Sequence, residues 1–121
     1  MKKMMVVVQG TNEFNDYAIF LRAMGVMLSS MHPEDKEFTI YSVGSKESNI
    51  HHFAMEFCNL SEKGMKGRGK KIKTYKAVDD WIKEYILEMN YFAFFSKPKQ
   101  PISALAKIAK NQNIELGIFQ Y

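Results

Sequence analysis

The stretch Val6-Val7-Val8-Gln9-Gly10-Thr11-Asn12 passes from an unbroken β-branched run into a glycine and two small polar residues. With Met4 and Met5 ahead of it, the run predicts a strand buried on both faces, as in a parallel sheet covered by helices. A helical pattern follows from about Asp16. Strand, glycine-containing turn and helix together form the local geometry that turns backbone N–H groups toward an anion. The same unit recurs at Phe38 to Val43, followed by Gly44-Ser45-Lys46-Glu47-Ser48-Asn49.

Working outward, Asn15 or Asp16 can cap the first helix, whose inner stripe is Phe20, Met24, Met27, Leu28 and Met31. Gly25 lies within this helix and suggests a close approach to the sheet. Ser48 or Asn49 can cap a second helix with the stripe Ile50, Phe53, Ala54 and Phe57. Asn59 to Lys71, with Gly64, Gly67 and Gly69, reads as a polar loop, and Ile72 to Tyr75 as a short edge strand. Val78, Trp81, Ile82, Tyr85, Ile86 and Met89 recur at helical spacing and predict a third helix with those residues in the core. Tyr91 to Phe95 is an apolar strand. Pro101 suits the first position of a fourth helix carrying Ile102, Leu105, Ala106 and Ala109, and Ile114 to Phe119 is the last strand. Strands alternating with crossover helices predict an α/β, Rossmann-like three-layer sandwich. Its mostly parallel sheet has about five strands, with helices on both faces, in a single domain over 1–121.

Composition narrows the class. The chain of 121 residues has an ordinary apolar fraction of 46%, enough for a core. No apolar run approaches the roughly 20 residues of a membrane span, and Met4 to Val8 is too short for a secretory leader. A cytoplasmic protein without membrane contact is therefore expected. The single Cys58 lies on a helical stripe and reads as a buried thiol in a reducing compartment. The scarcity of arginine beside lysine, with abundant Asn, Ile, Phe and Met, points to an AT-rich genome such as that of a phage. The formal charge of +4 is concentrated: Lys63, Lys66, Arg68, Lys70, Lys71, Lys73 and Lys76 face only Glu62 within 62–76, and the rest of the chain is slightly acidic.

Ligands of open α/β sheets bind beyond the strand C-terminal ends, where the strand order reverses. With the first strand central, that crevice lies between the loops after it and after Tyr91 to Phe95. Gly10, Thr11, Asn12, Ser96 and Lys97 fall there, and Gly44, Ser45, Lys46, Ser48 and Asn49 fall on the neighbouring loop. Hydroxyls, amides and two lysines are donors suited to a phosphate. The alternative is that these residues only make tight turns, since no Gly-x-Gly-x-x-Gly or Walker pattern is present. Glu13 and Asp16 could meet a ribose or cap a helix. Adjacent His51 and His52 point about 100° apart on a helix, so a metal site is not expected. No cofactor is expected either. Asp79 and Asp80 read as first-turn helix residues rather than an acid pair.

Gly10-Thr11-Asn12-Glu13-Phe14-Asn15-Asp16-Tyr17, after its strand, resembles the opening of small members of the SLOG superfamily. These are Rossmann-like domains related to the DNA-processing protein A and to the cytokinin-activating LOG proteins. Gly44 to Asn49 resembles the family's second turn, with Asn49 where Asp is usual and Glu47-Ser48 in place of small residues. Where the family offers Gly-Thr to a phosphate, this chain has Lys97-Pro98-Lys99-Gln100-Pro101, and the glutamate that follows in LOG enzymes is absent. The resemblance implies nucleotide or nucleotide-derivative binding and a tendency to homo-oligomers. The departures favour a non-catalytic binder over an N-glycosidic hydrolase, and no residue qualifies as its acid or base.

The expected function is thus a nucleotide-binding module with no identified catalytic residue. The alternative is a nucleic-acid- or protein-binding protein acting through Lys63, Lys66, Arg68, Lys70, Lys71 and Lys73, with interleaved Tyr75 able to stack on a base.

Overall fold

A computed structural model describes residues 2–121. Its strands are β1 (Lys3–Gly10), β2 (Glu37–Val43), β3 (Lys71–Ala77), β4 (Tyr91–Ser96) and β5 (Glu115–Gln120), and its helices are α1 (Tyr17–Ser29), α2 (Asn49–Gly67), α3 (Asp79–Glu84) and α4 (Ala104–Asn111). All four strand pairings are parallel, in the order β3-β2-β1-β4-β5. This is the Rossmann-like α/β sandwich expected of the alternation. β1 sits at the centre, in register with β2 from Lys3↔Glu37 and with β4 from Val6↔Tyr91. The chain lays down β2 and β3 on one side of β1, then returns to lay down β4 and β5 on the other. The order therefore reverses between β1 and β4.

The period-two alternation of β1 divides the core. Met4, Val6 and Val8 pack under α1 and α2 with Phe14, Phe20, Met24 and Ile50. Met5 and Val7 face α3 and α4 with Ile82, Ile86, Phe92 and Leu105. Gly10 ends β1, and a Cβ there would lie 3.1 Å from Phe14 Cδ2. Phe14 is fully buried, stacks on Phe95 with centroids 4.5 Å apart, and meets Phe53 edge-on at 5.6 Å. The turn after β1 is thus folded inward by an aromatic plug.

Four local expectations are corrected. The polar stretch 59–67 is helix, because Phe57, Ser61 and Met65 continue the inner stripe at i+4 spacing and Met65 is buried. Gly64 faces open space, where glycine weakens a helix by only about 1 kcal/mol. The stop comes at Gly69, whose φ of 73° suits it to follow the cap residue Arg68. Gly69 N–H donates to Lys66 C=O at 2.9 Å and Lys70 N–H to Met65 C=O at 2.9 Å, the paired bonds of a Schellman ending. The third helix is shorter than its stripe implies: α3 ends at Glu84 and a 3-10 turn spans Ile86–Glu88. The chain must leave the helix there so that Asn90 can pair with β1, donating its N–H to Met5 C=O (2.7 Å) and accepting from Met5 N–H (2.8 Å). Pro101 precedes α4, which is capped by Ser103 at Ala106 N–H (3.0 Å). Gly25 faces solvent with nothing near its Cβ position, so it serves no close approach.

Replacing Phe14 by Ala should lower unfolding free energy by about 3–5 kcal/mol in urea titrations, the range for an aromatic lost from a packed core. A loss below about 1 kcal/mol would show that the plug does not hold the turn.

Candidate functional site

The loops after β1 and β4 meet over the strand reversal. They enclose a cleft of about 450 Å3 lined by Thr11, Asn12, Glu13, Lys97, Lys99 and Gln100, with Pro98 at its rim. The β1 loop is closed by Phe14 N–H, which donates to Thr11 C=O (3.1 Å). Ser45 donates its hydroxyl to Asn12 Oδ1, drawing the β2 loop against the β1 loop. Lys97 crosses the cleft to pair with Glu13. The Glu13 hydrogen bond and its charge raise the Lys97 ammonium above its ordinary pKa, so it stays protonated. Thr11 Oγ1 and the Tyr121 hydroxyl share a hydrogen bond of 2.6 Å, and Tyr121 N–H donates to Ser96 C=O at 3.1 Å. The cleft thus offers the Asn12 amide, two lysines and one carboxylate, a modestly cationic and hydroxyl-accepting set.

The β4 loop carries its own signature. Gln100 N–H returns to Lys97 C=O (3.1 Å) around Pro98 and Lys99, and Lys99 has φ of 66°. Proline followed by a positive-φ residue is the pattern of a type II turn, whose third position favours glycine. Holding lysine there costs on the order of 1–2 kcal/mol.

The other expected residues are placed differently. Ser96 is buried at the end of β4, opposite Gln120. Ser48 is the N-cap of α2, accepting from Ile50 N–H at 3.3 Å. Asn49 donates to Phe14 C=O and to Asn15 Oδ1, both at 3.2 Å. Asp16 caps α1 at Ile19 N–H (3.2 Å). Gly44 and Lys46 border a separate hollow of about 180 Å3 with His51, Lys76, Ala77 and Val78. A Cβ on Gly44 would come within 3.0 Å of Ile50 and Ser48, so this glycine accommodates its own turn. His51 donates through Nε2 to Gly44 C=O (3.1 Å), which leaves Nδ1 to accept from Ser42 Oγ (2.7 Å) in the neutral ring. His52 instead lies beside Glu56 at 3.6 Å.

The basic segment is not one loop. Lys63, Lys66 and Arg68 are exposed at the end of α2, and Lys71, Lys73 and Lys76 lie along edge strand β3. Lys70 is held by the carbonyls of Pro33 and Asp35. Lys73 faces Glu37 at 3.6 Å.

Trp81 and Tyr85, expected in the core, are respectively half-buried and exposed. Their rings lie 4.7 Å apart, and Trp81 forms a wall of a groove of about 610 Å3 that also holds Tyr41, Tyr75, Thr39 and Glu37. The sequence signal was available in β2 and β3: Glu37, Thr39, Tyr41 and Lys73, Tyr75 alternate onto one face, and polar residues at those positions are unlike the apolar face of a covered strand.

No helix among the described residues is long and apolar enough to cross a membrane. Among them no group of three His, Cys, Asp or Glu is arranged to hold a metal ion. Cys58 is buried, and burial, then the charge of Glu62, push its thiol up to about 11. It therefore remains protonated at neutral pH. Native protein at pH 8 should alkylate at least tenfold more slowly than protein unfolded in urea, followed by mass spectrometry; equal rates would place the thiol outside the core.

No family model and no curated protein matches this chain. Among solved structures it is similar to a universal stress protein from Archaeoglobus fulgidus, at 13% identity over 99% of this chain and 96% of that one, with a TM-score of 0.49.

Proposed function

We propose that the protein is a non-catalytic module that binds a nucleotide or nucleotide derivative in the cleft between the β1 and β4 loops, in the manner of a SLOG-like domain. The observation that carries this reading is the strand reversal between β1 and β4, with a cleft directly above it. Ligands of open parallel sheets collect at that point because the loops on its two sides diverge. Lys97 and Lys99 supply positive charge for a phosphate, Asn12 a hydrogen-bond donor, and Glu13 an acceptor for ribose hydroxyls. Lysine at a turn position suited to glycine supports the reading, since strain of this kind persists where a side chain is needed. The absent Gly-Thr and glutamate set this chain apart from the hydrolases of the resembling family. A second reading, nucleic-acid contact through residues 62–76, is favoured by the exposed lysines of α2 and β3 beside half-exposed Tyr75.

A thermal-shift screen with mononucleotides, ADP-ribose and short oligonucleotides at two salt concentrations separates the readings. Binding to the folded state raises the midpoint by mass action. A salt-tolerant rise with one small nucleotide is expected, diminished in Asn12→Ala and Lys97→Ala. Lys99→Gly should leave the unliganded midpoint unchanged or higher while reducing the rise. A rise only with oligonucleotides, erased by salt and by Lys66→Glu with Lys71→Glu, would replace the first reading with the second.

A further inference from the structure

The two faces of the sheet are covered unequally. On one, the 19-residue α2 lies over β1, β2 and β3, and α1 reaches β5. On the other, α4 packs over β1 and β4, and α3 has six residues. The β2–β3 half of this second face is therefore left as the open groove of about 610 Å3, larger than the cleft above the strand reversal.

Strand register orders its floor. Lys3 and Glu37 form one row, Thr39 and Lys73 the next, and Tyr41 and Tyr75 the third, with Trp81 beyond. Tyr41 and Tyr75 are stacked with centroids 5.8 Å apart, and Tyr41 lies 4.9 Å from Trp81. One end of the groove is aromatic and the other is ionic. Four residue steps along the strand take Glu37 to Tyr41, a distance of about 13 Å.

The ionic end is asymmetric. Glu37 is 8% exposed. Its Oε2 accepts from Thr39 Oγ1 at 2.6 Å, whereas Oε1 has Lys73 at 3.6 Å, beyond hydrogen-bond length. The Thr39 hydroxyl, then the charges of Lys73 and Lys3, hold this carboxyl below its ordinary range against the opposing effect of burial. It is an ionised acceptor with capacity left for a donor. Lys3, Lys73 and Lys76 outnumber it, so the groove disfavours a cation despite its aromatic wall and suits an anion.

We infer that this groove is a second ligand site, taking a nucleoside monophosphate with its base against Tyr75 and Trp81, its ribose hydroxyls toward Glu37 and its phosphate at Lys3 and Lys73. Length, charge sign and the gathering of aromatic, acceptor and cationic groups along one floor select this class together. The volume is that of a small-ligand pocket. The inference does not depend on the cleft between the β1 and β4 loops, and different residues report on each.

Trp81 is the only tryptophan in the chain, so its fluorescence reads the groove directly. Titration with AMP should quench it saturably, with adenosine and inorganic phosphate each at least about tenfold weaker. Tyr75→Ala should weaken AMP about tenfold, as loss of one stacking partner does. Tyr75→Phe, which keeps the ring, should bind AMP as the native protein does. Asn12→Ala, in the other cleft, should leave the quenching curve unchanged. Equal thermal midpoints for the two Tyr75 variants would show that both are folded; should Tyr75→Ala unfold, Lys73→Glu tests the phosphate end, with the same loss expected. Absence of saturable quenching by AMP up to about 5 mM would overturn the inference. So would quenching that is indifferent to both Tyr75→Ala and Lys73→Glu, and so would quenching by oligonucleotides alone that salt erases.

Discussion

The packing of Phe14 against the end of β1 is the constraint on which the candidate edge depends. The ring occupies the space above Gly10, stacks on Phe95 of β4, meets Phe53 of α2 and lies 5.0 Å from Tyr121. One side chain thus connects the central strand, its neighbour across the reversal, the second helix and the chain's last residue. A Cβ on Gly10 would press on the Phe14 ring at 3.1 Å, and the polar residues between them line the cleft. Asn49 reinforces the arrangement from α2 by donating to Phe14 C=O. The hydrophobic effect sets the path of this loop, and the hydrogen bonds around it fix the detail.

Most of the fold was legible because its signals are periodic. The continuous apolar runs of β1 and β4, the alternation of strand and helix, and the caps at Asp16 and Ser48 each follow from short-range chemistry. The failures have one kind of cause. Residues 59–67 carry glycines and charges that read as a loop, yet the inner face of α2 needs only Phe57, Ser61 and Met65 to continue, and the outer face is free to be polar. The Val78 to Met89 stripe overstated α3 because the chain has to deliver Asn90 to β1, a tertiary demand that local spacing does not contain.

The candidate site was legible in outline and not in composition. Topology pointed to a crevice between the β1 and β4 loops, and Thr11, Asn12 and Lys97 line the cleft found there. Ser48, Asn49 and Ser96 are donors of the right chemistry that the fold uses for a cap, a loop tether and a buried strand end. Lys99 was passed over because only backbone geometry reveals a lysine in a glycine-like conformation. The aromatic groove was missed because Trp81 and Tyr85 lie on a regular apolar stripe, and a stripe does not say whether anything covers it. The shortness of α3 leaves Trp81 at an open wall and Tyr85 exposed beside it.

Backbone amide NMR of the 15N-labelled protein, titrated with AMP and with ADP-ribose, tests the central claim that the edge above the strand reversal is a nucleotide site. The account predicts that with at least one of the two ligands the amides of Thr11, Asn12, Glu13, Lys97 and Lys99 shift progressively and saturate. Saturating shifts confined to β2, β3 and α3, or no shift at residues 11–13 and 97–100 with either ligand, would contradict it.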